Sequence, residues 1–192
     1  YMDAFAEGNP KNYQIWHHRR VVCKNILNID REIQFTTKVL EVDNKNYHAW
    51  AHRQWLVQLY LKSEQKLELD DEINFALNLL IQDARNNSAW NYIWFLLNYN
   101  QALTYDMLKS INNGALLNFI LSCLTSLKYN ESVWHFFRGV SNIVPSLILR
   151  KIIVKCINQT YDLNYFALSI ILNHVIGLST ESFIPQSSLI QL

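Results

Sequence analysis

Asn12-Tyr13-Gln14-Ile15-Trp16, Asn46-Tyr47-His48-Ala49-Trp50, Asn86-Asn87-Ser88-Ala89-Trp90 and Asn130-Glu131-Ser132-Val133-Trp134 are four versions of one phrase, an asparagine followed four places on by a tryptophan. The chain holds six tryptophans in 192 residues, so four of them in one setting mark a tandem repeat. The copies also match outside the phrase. A shift of 40 residues lays Ile33, Phe35, Val39, Leu40 and Asp43 on Ile73, Phe75, Leu79, Leu80 and Asp83. A further shift of 44 brings Leu117, Phe119, Cys123 and Leu124 to those places, with Leu127 where the aspartate stood. The first copy is incomplete, because Tyr1 stands only a few residues before its phrase, and a missing upstream portion is expected.

Within each copy the apolar positions recur at helical spacing, as in Ile73, Ala76, Leu79 and Leu80, which predicts an amphipathic first helix. The second helix starts at the phrase, where Asn46 or Asn86 can cap it by accepting a hydrogen bond from a backbone N–H two or three residues on. Tyr47, Trp50 and Leu61 then form an aromatic and apolar stripe that a single hairpin leaves uncovered. Stacking successive hairpins covers it, so the fold class is all-α, a solenoid of helical hairpins. Only 4 Gly and 3 Pro, with no sustained alternation of apolar and polar residues, agree with this.

A chain of 192 residues that is 50% hydrophobic can bury a continuous core, expected as one repeat domain over residues 1–178 with a tail at 179–192. Its 17 basic and 16 acidic residues leave no field to attract a nucleic-acid backbone. The run His17-His18-Arg19-Arg20 is expected to pair with acidic residues of a neighbouring helix. Cys23, Cys123 and Cys156 fall on apolar helical positions and read as buried reduced thiols. The most apolar stretch, Leu163 to Leu178, is too short for a membrane span and is interrupted by Asn164, Asn173 and His174. With no signal peptide, an intracellular, cytoplasmic protein is expected. His48 and His52 have the helical spacing of metal ligands, but no third ligand stands nearby and Arg53 opposes a cation, so no metal site is expected in this chain.

The phrase with a basic residue three places after its tryptophan, as in Trp16/Arg19 and Trp50/Arg53, resembles the α-subunit repeat of the protein prenyltransferases. The wording from Pro10 to Arg20, and again from Lys45 to Trp55, is similar to that of the subunit shared by protein farnesyltransferase and type I geranylgeranyltransferase. The resemblance covers roughly Gly8 to Arg138 and implies a right-handed α-α superhelix. Ile93 and Phe137 replace the basic residue in the third and fourth copies, which are expected to keep the stacking and lose an ion pair. A fifth copy near Tyr161 to Leu172 has no Trp at all.

The resemblance implies transfer of a farnesyl or geranylgeranyl group from its diphosphate to a cysteine thiol near the C-terminus of a CaaX protein. That reaction needs a thiolate and a cationic setting for the departing diphosphate. By the same resemblance, zinc and the lipid pocket belong to a separate β subunit, with magnesium a candidate companion of the diphosphate. Lys11, just before the Asn12 cap, matches the lysine placed beside the diphosphate, and the helix N-terminus adds positive potential there. Gln14 matches a glutamine that donates to the target's terminal carboxylate, a role suited to a neutral donor. Tyr13, Tyr47 and His48 match positions lining the rim near the diphosphate.

Two rival readings stand, one of another class and one from another branch of the same family. A tetratricopeptide-like scaffold that binds peptides without catalysis has a strict 34-residue period, whereas the tryptophan spacings here are 34, 40 and 44. The α subunit of the Rab-specific enzyme is not expected to carry glutamine at the position of Gln14.

Overall fold

The computed structural model describes residues 8–26, 28–62, 69–99, 104–127, 129–160 and 168–170. The expected tail at 179–192, most of the degenerate fifth copy and the side chain of Cys156 lie outside them. The described residues are helical and contain no strand. They form two compact units, divided between Leu117 and Asn118.

In the first unit, α1 (Tyr13–Ile26) is followed by two helical hairpins. These are α2 (Ile29–Val42) with α3 (Tyr47–Lys62), and α4 (Leu69–Gln82) with α5 (Asn87–Tyr99). Asn28 starts α2 by accepting the N–H of Arg31 on its side-chain oxygen, and Asp30 and Glu32 suit the positive end of the helix. The buried face of α2 is Ile29, Phe35, Thr36, Val39 and Leu40, a stripe at helical period. In α4 the equivalent stripe is Ile73, Ala76, Leu77, Leu79 and Leu80, below a first turn of Asp70, Asp71 and Glu72. Each buried Leu or Phe of this kind contributes about 1.5–3 kcal/mol relative to exposure.

The second helices are apolar on more than one face because they pack on more than one neighbour. α3 packs against α2 within its hairpin and against α1 and α5 across the stack. Trp16 meets Phe35 at 5.9 Å between ring centroids, and Trp50 meets Phe75 at 6.0 Å. Trp16 and Trp50 therefore fill the space between successive copies. Of the expected stripe, Trp50 is covered and Tyr47 is not, and the side chain of Leu61 lies outside the described residues. Tyr47 lies at the start of α3 and is 77% exposed.

A second periodic device lies under this packing. Arg19 grips Glu32 with two hydrogen bonds, at 3.1 and 2.8 Å, and its guanidinium lies 3.5 Å from the ring centroid of Phe35. Arg53 does the same to Glu72, at 2.8 and 2.9 Å, and lies 3.8 Å from the centroid of Phe75. Each glutamate has a further partner on the second helix of its own hairpin: His52 for Glu32 and the Tyr92 hydroxyl for Glu72. His52 and Tyr92 are related by the 40-residue shift. The expected pairing of the basic run thus holds for Arg19, while His17 and His18 are exposed. In the third copy Ile93, fully buried, replaces the arginine.

The first unit closes with α6 (Tyr105–Ser110), a 3-10 turn (Ile111–Gly114) and the start of α7 (Ala115–Ser126). Asn113 and Gly114 hold φ of 54° and 85°, the left-handed region that these two residue types tolerate best. The second unit comprises the rest of α7, then α8 (Glu131–Ser141) and α9 (Ser146–Thr160). Its core includes Trp134, Phe136, Phe137 and Val140 of α8, and Asn130 caps that helix through the N–H of Ser132.

Candidate functional site

The turns that precede α1, α3 and α5 carry the sequences Pro10-Lys11-Asn12, Asn44-Lys45-Asn46 and Ala84-Arg85-Asn86. In each, the asparagine oxygen caps the helix: Asn12 receives Gln14 N–H at 3.0 Å, Asn46 receives Ala49 N–H at 3.1 Å, and Asn86 receives Ser88 N–H at 3.1 Å. The first residue of each turn offers its carbonyl to the tryptophan of the same copy. Trp16 Nε1 donates to Pro10 at 2.8 Å, Trp50 to Asn44 at 2.9 Å and Trp90 to Ala84 at 2.9 Å.

The same carbonyls also tie one copy to the next. Asn46 Nδ2 donates to the carbonyl of Pro10 at 3.3 Å, and Asn86 Nδ2 donates to that of Asn44 at 3.0 Å. An asparagine serves both ends of this arrangement, as acceptor for its own helix and donor to the preceding turn. The amide explains the repeated choice, because Asp, Ser and Thr supply the cap without that donor geometry. Asn46 and Asn86 are accordingly buried, whereas Asn12 is exposed.

This tie sets the turn of the first phrase beside that of the second, and with them the expected site residues. Lys11 belongs to the turn itself and not to the helix, which begins at Tyr13, so it and Gln14 do not share a helical face in the strict sense. Both are exposed, as is Tyr13 at 66%. Tyr47 is exposed and His48 half-buried at the start of α3, their rings 5.5 Å apart and edge to face. The Lys11 ammonium stands 3.8 Å from Asp43, and Lys45 is 3.0 Å from Asp83 one copy on. A groove of about 280 Å³ lined by Pro10, Lys38, Val39, Val42 and Asp43 adjoins the first pair. Lys11, Tyr13 and Gln14 therefore lie at one helix start, and Tyr47 and His48 at the adjoining one.

Asp43 is the neighbour that sequence reasoning missed, although its recurrence as Asp83 was visible. His52 is withdrawn from any surface chemistry: it is fully buried, between Trp16 and Trp55, with Nε2 at 3.0 Å from Glu32. Burial pushes its pKa down, and the Glu32 carboxylate only partly offsets that. Burial pushes Glu32 upward, but its bonds to His52 and Arg19 outweigh this and hold it below the ordinary carboxylate range. Among the described residues no three His, Cys, Asp or Glu side chains gather as a metal site, and no helix is long and apolar enough to cross a membrane.

Stacked hairpins with capped, cation-bearing turns define an α-helical repeat protein, and comparison with known proteins places the class. The model of the protein prenyltransferase alpha subunit repeat matches residues 1–26, 29–60 and 69–100. The chain belongs to the protein prenyltransferase α-subunit repeat family. It is 34% identical over 133 residues to the geranylgeranyl transferase type-2 subunit alpha of Saccharomyces cerevisiae, covering 60% of this chain and 41% of that protein. The human type-2 subunit alpha is 28% identical over 94 residues, 48% of this chain and 16% of that protein. The chain thus spans less than half the length of these curated relatives. Among solved structures, Candida albicans protein geranylgeranyltransferase-I complexed with GGPP matches with a TM-score of 0.69 at 24% identity, over 93% of this chain and 60% of that one. That likeness concerns the fold.

Proposed function

We propose that the chain is part of the α subunit of a heterodimeric, cytoplasmic CaaX protein prenyltransferase, which moves a farnesyl or geranylgeranyl group from its diphosphate to a cysteine thiol of the target protein. The observation that carries this reading is the exposure of Lys11 and Gln14 together at the first phrase, beside Tyr47 and His48. Lys11 meets the diphosphate as its negative charge grows, and Gln14 donates to the terminal carboxylate of the target. Tyr13, Tyr47 and His48 line the rim. A β subunit would hold the zinc, which would stabilise the target's own cysteine as its thiolate, and magnesium would accompany the diphosphate.

A second reading, the type-2 (Rab) branch, is favoured by the names of the yeast and human relatives. Gln14 favours the CaaX branch. Co-expression of the full-length subunit with each class of β subunit separates the two. The CaaX reading expects a stable complex that prenylates a CaaX peptide, with Gln14→Ala raising KM for that peptide and leaving KM for the diphosphate unchanged. Assembly only with a type-2 β subunit, and no transfer to CaaX peptides, would replace it with the Rab reading.

A further inference from the structure

Asp43 is fixed at three of its polar atoms by its own turn. Its N–H donates to Val39 at 2.9 Å, and its carbonyl accepts from Asn46 N–H at 3.0 Å. Its Oδ1 accepts from Lys45 N–H at 3.3 Å. Oδ2 remains, and it faces the Lys11 ammonium at 3.8 Å. Asp83 repeats the design: Oδ1 accepts from Arg85 N–H at 2.9 Å, and Oδ2 takes Lys45 at 3.0 Å. The pairing is therefore a product of the repeat and not an accident of one surface lysine.

The two pairs differ in closure. Lys45 is drawn onto its aspartate, whereas the Lys11 side chain is 83% exposed and stands clear of direct contact. Lys11 thus lies within ion-pair range of Asp43 yet is open to another anion. A flexible lysine loses rotamer entropy when a ligand orders it, and a rigid carboxylate beside it reduces that loss beforehand.

We propose that Asp43 is the positioning residue for Lys11, keeping its ammonium at the Pro10–Asn12 turn where the isoprenoid diphosphate takes it over. The inference rests on the role given to Lys11 above. Asp43→Asn keeps an oxygen for the Lys45 N–H and removes the charge that faces Lys11. The test measures kcat and KM for both substrates in the full-length subunit assembled with its β partner, for wild type, Asp43→Asn, Lys11→Ala, the double variant and Asp83→Asn.

The expected result is a kcat about twofold to fivefold lower for Asp43→Asn, the scale of an exposed ion pair, with KM for the peptide unchanged. The double variant is then no slower than Lys11→Ala, and Asp83→Asn keeps the wild-type rate. Wild-type kcat in Asp43→Asn, an equal loss in Asp83→Asn, or an additive double variant would overturn the inference. Absence of transfer by the wild-type complex would remove the functional reading and this inference with it. An active enzyme that depends on Lys11 but ignores Asp43 would remove this inference alone.

Discussion

The side-chain amide of Asn86 reaches back 42 residues to the carbonyl of Asn44, at 3.0 Å, where the indole of Trp50 also donates. One carbonyl therefore joins its own helix to the next copy. Such a tie cannot be recognised in a single copy, because the capping role alone already accounts for an asparagine.

Asn86→Asp retains the capping oxygen, loses the donor and places a charge in a fully buried position. It is expected to destabilise the chain by about 1–3 kcal/mol in denaturant unfolding. Asn12→Asp, at an exposed cap, is expected to be near neutral or slightly stabilising through the helix dipole. Equal effects at both positions would contradict the two-sided role.

Arg53 binds Glu72 deep in the stack and also donates to Thr37 at 2.8 Å. Replacing it with Met strands a buried carboxylate, and a loss of about 3–5 kcal/mol is expected. Lys45→Met breaks the exposed pair with Asp83 and is expected to change stability by less than about 1 kcal/mol. Thermal unfolding of the two variants reads the contrast directly.

The repeat, the helix count per copy and the helix starts were legible because each leaves a periodic trace: Trp, Asn and apolar positions recur at a shared offset. The glutamates were legible in principle, since Glu32 and Glu72 share the 40-residue shift, yet charged residues on an amphipathic helix are ordinarily assigned to solvent. The equivalence of His52 and Tyr92 was less visible, because two unlike residue types serve one hydrogen-bonding task. For the candidate site, the phrase singled out Lys11, Tyr13, Gln14, Tyr47 and His48 as candidates, but nothing local indicated which lysine would be closed onto an aspartate. That difference arises from the packing of turns. The expected boundary at 178/179 falls outside the described residues.

Acid should weaken the first unit through His52 and Glu32. His52 has a folded pKa below the ordinary histidine value of 6.5, so its contribution is full above that pH and declines as the unfolded chain takes up a proton first. Glu32, held below 4.5, adds a further loss at lower pH with the same sign. Stability is therefore expected to fall between pH 7 and 5, roughly the range of an unfolded histidine. His52→Tyr installs the group that the next copy already uses between Trp50 and Phe95, and should flatten this part of the pH profile. A profile that keeps its slope in the variant would place the titration elsewhere.

Cys23 and Cys123 are buried and free, and burial pushes both thiols up, Cys123 to about 11. Neither should react with a thiol reagent at neutral pH on the time scale of an unfolded peptide. Mass spectrometry after brief alkylation should find both unmodified in the native chain and labelled in denaturant. Rapid native labelling of Cys123 would contradict the burial of α7.

The central claim is that Lys11 acts on the diphosphate from the α subunit, and single-turnover transfer by the αβ complex tests it most directly. Lys11→Ala is expected to slow the chemical step on the order of 10² to 10³, as for loss of one charge-stabilising donor, with assembly and lipid binding retained. A transfer rate equal to wild type in a correctly assembled complex would contradict the account and leave Lys11 a solvated residue of the first turn.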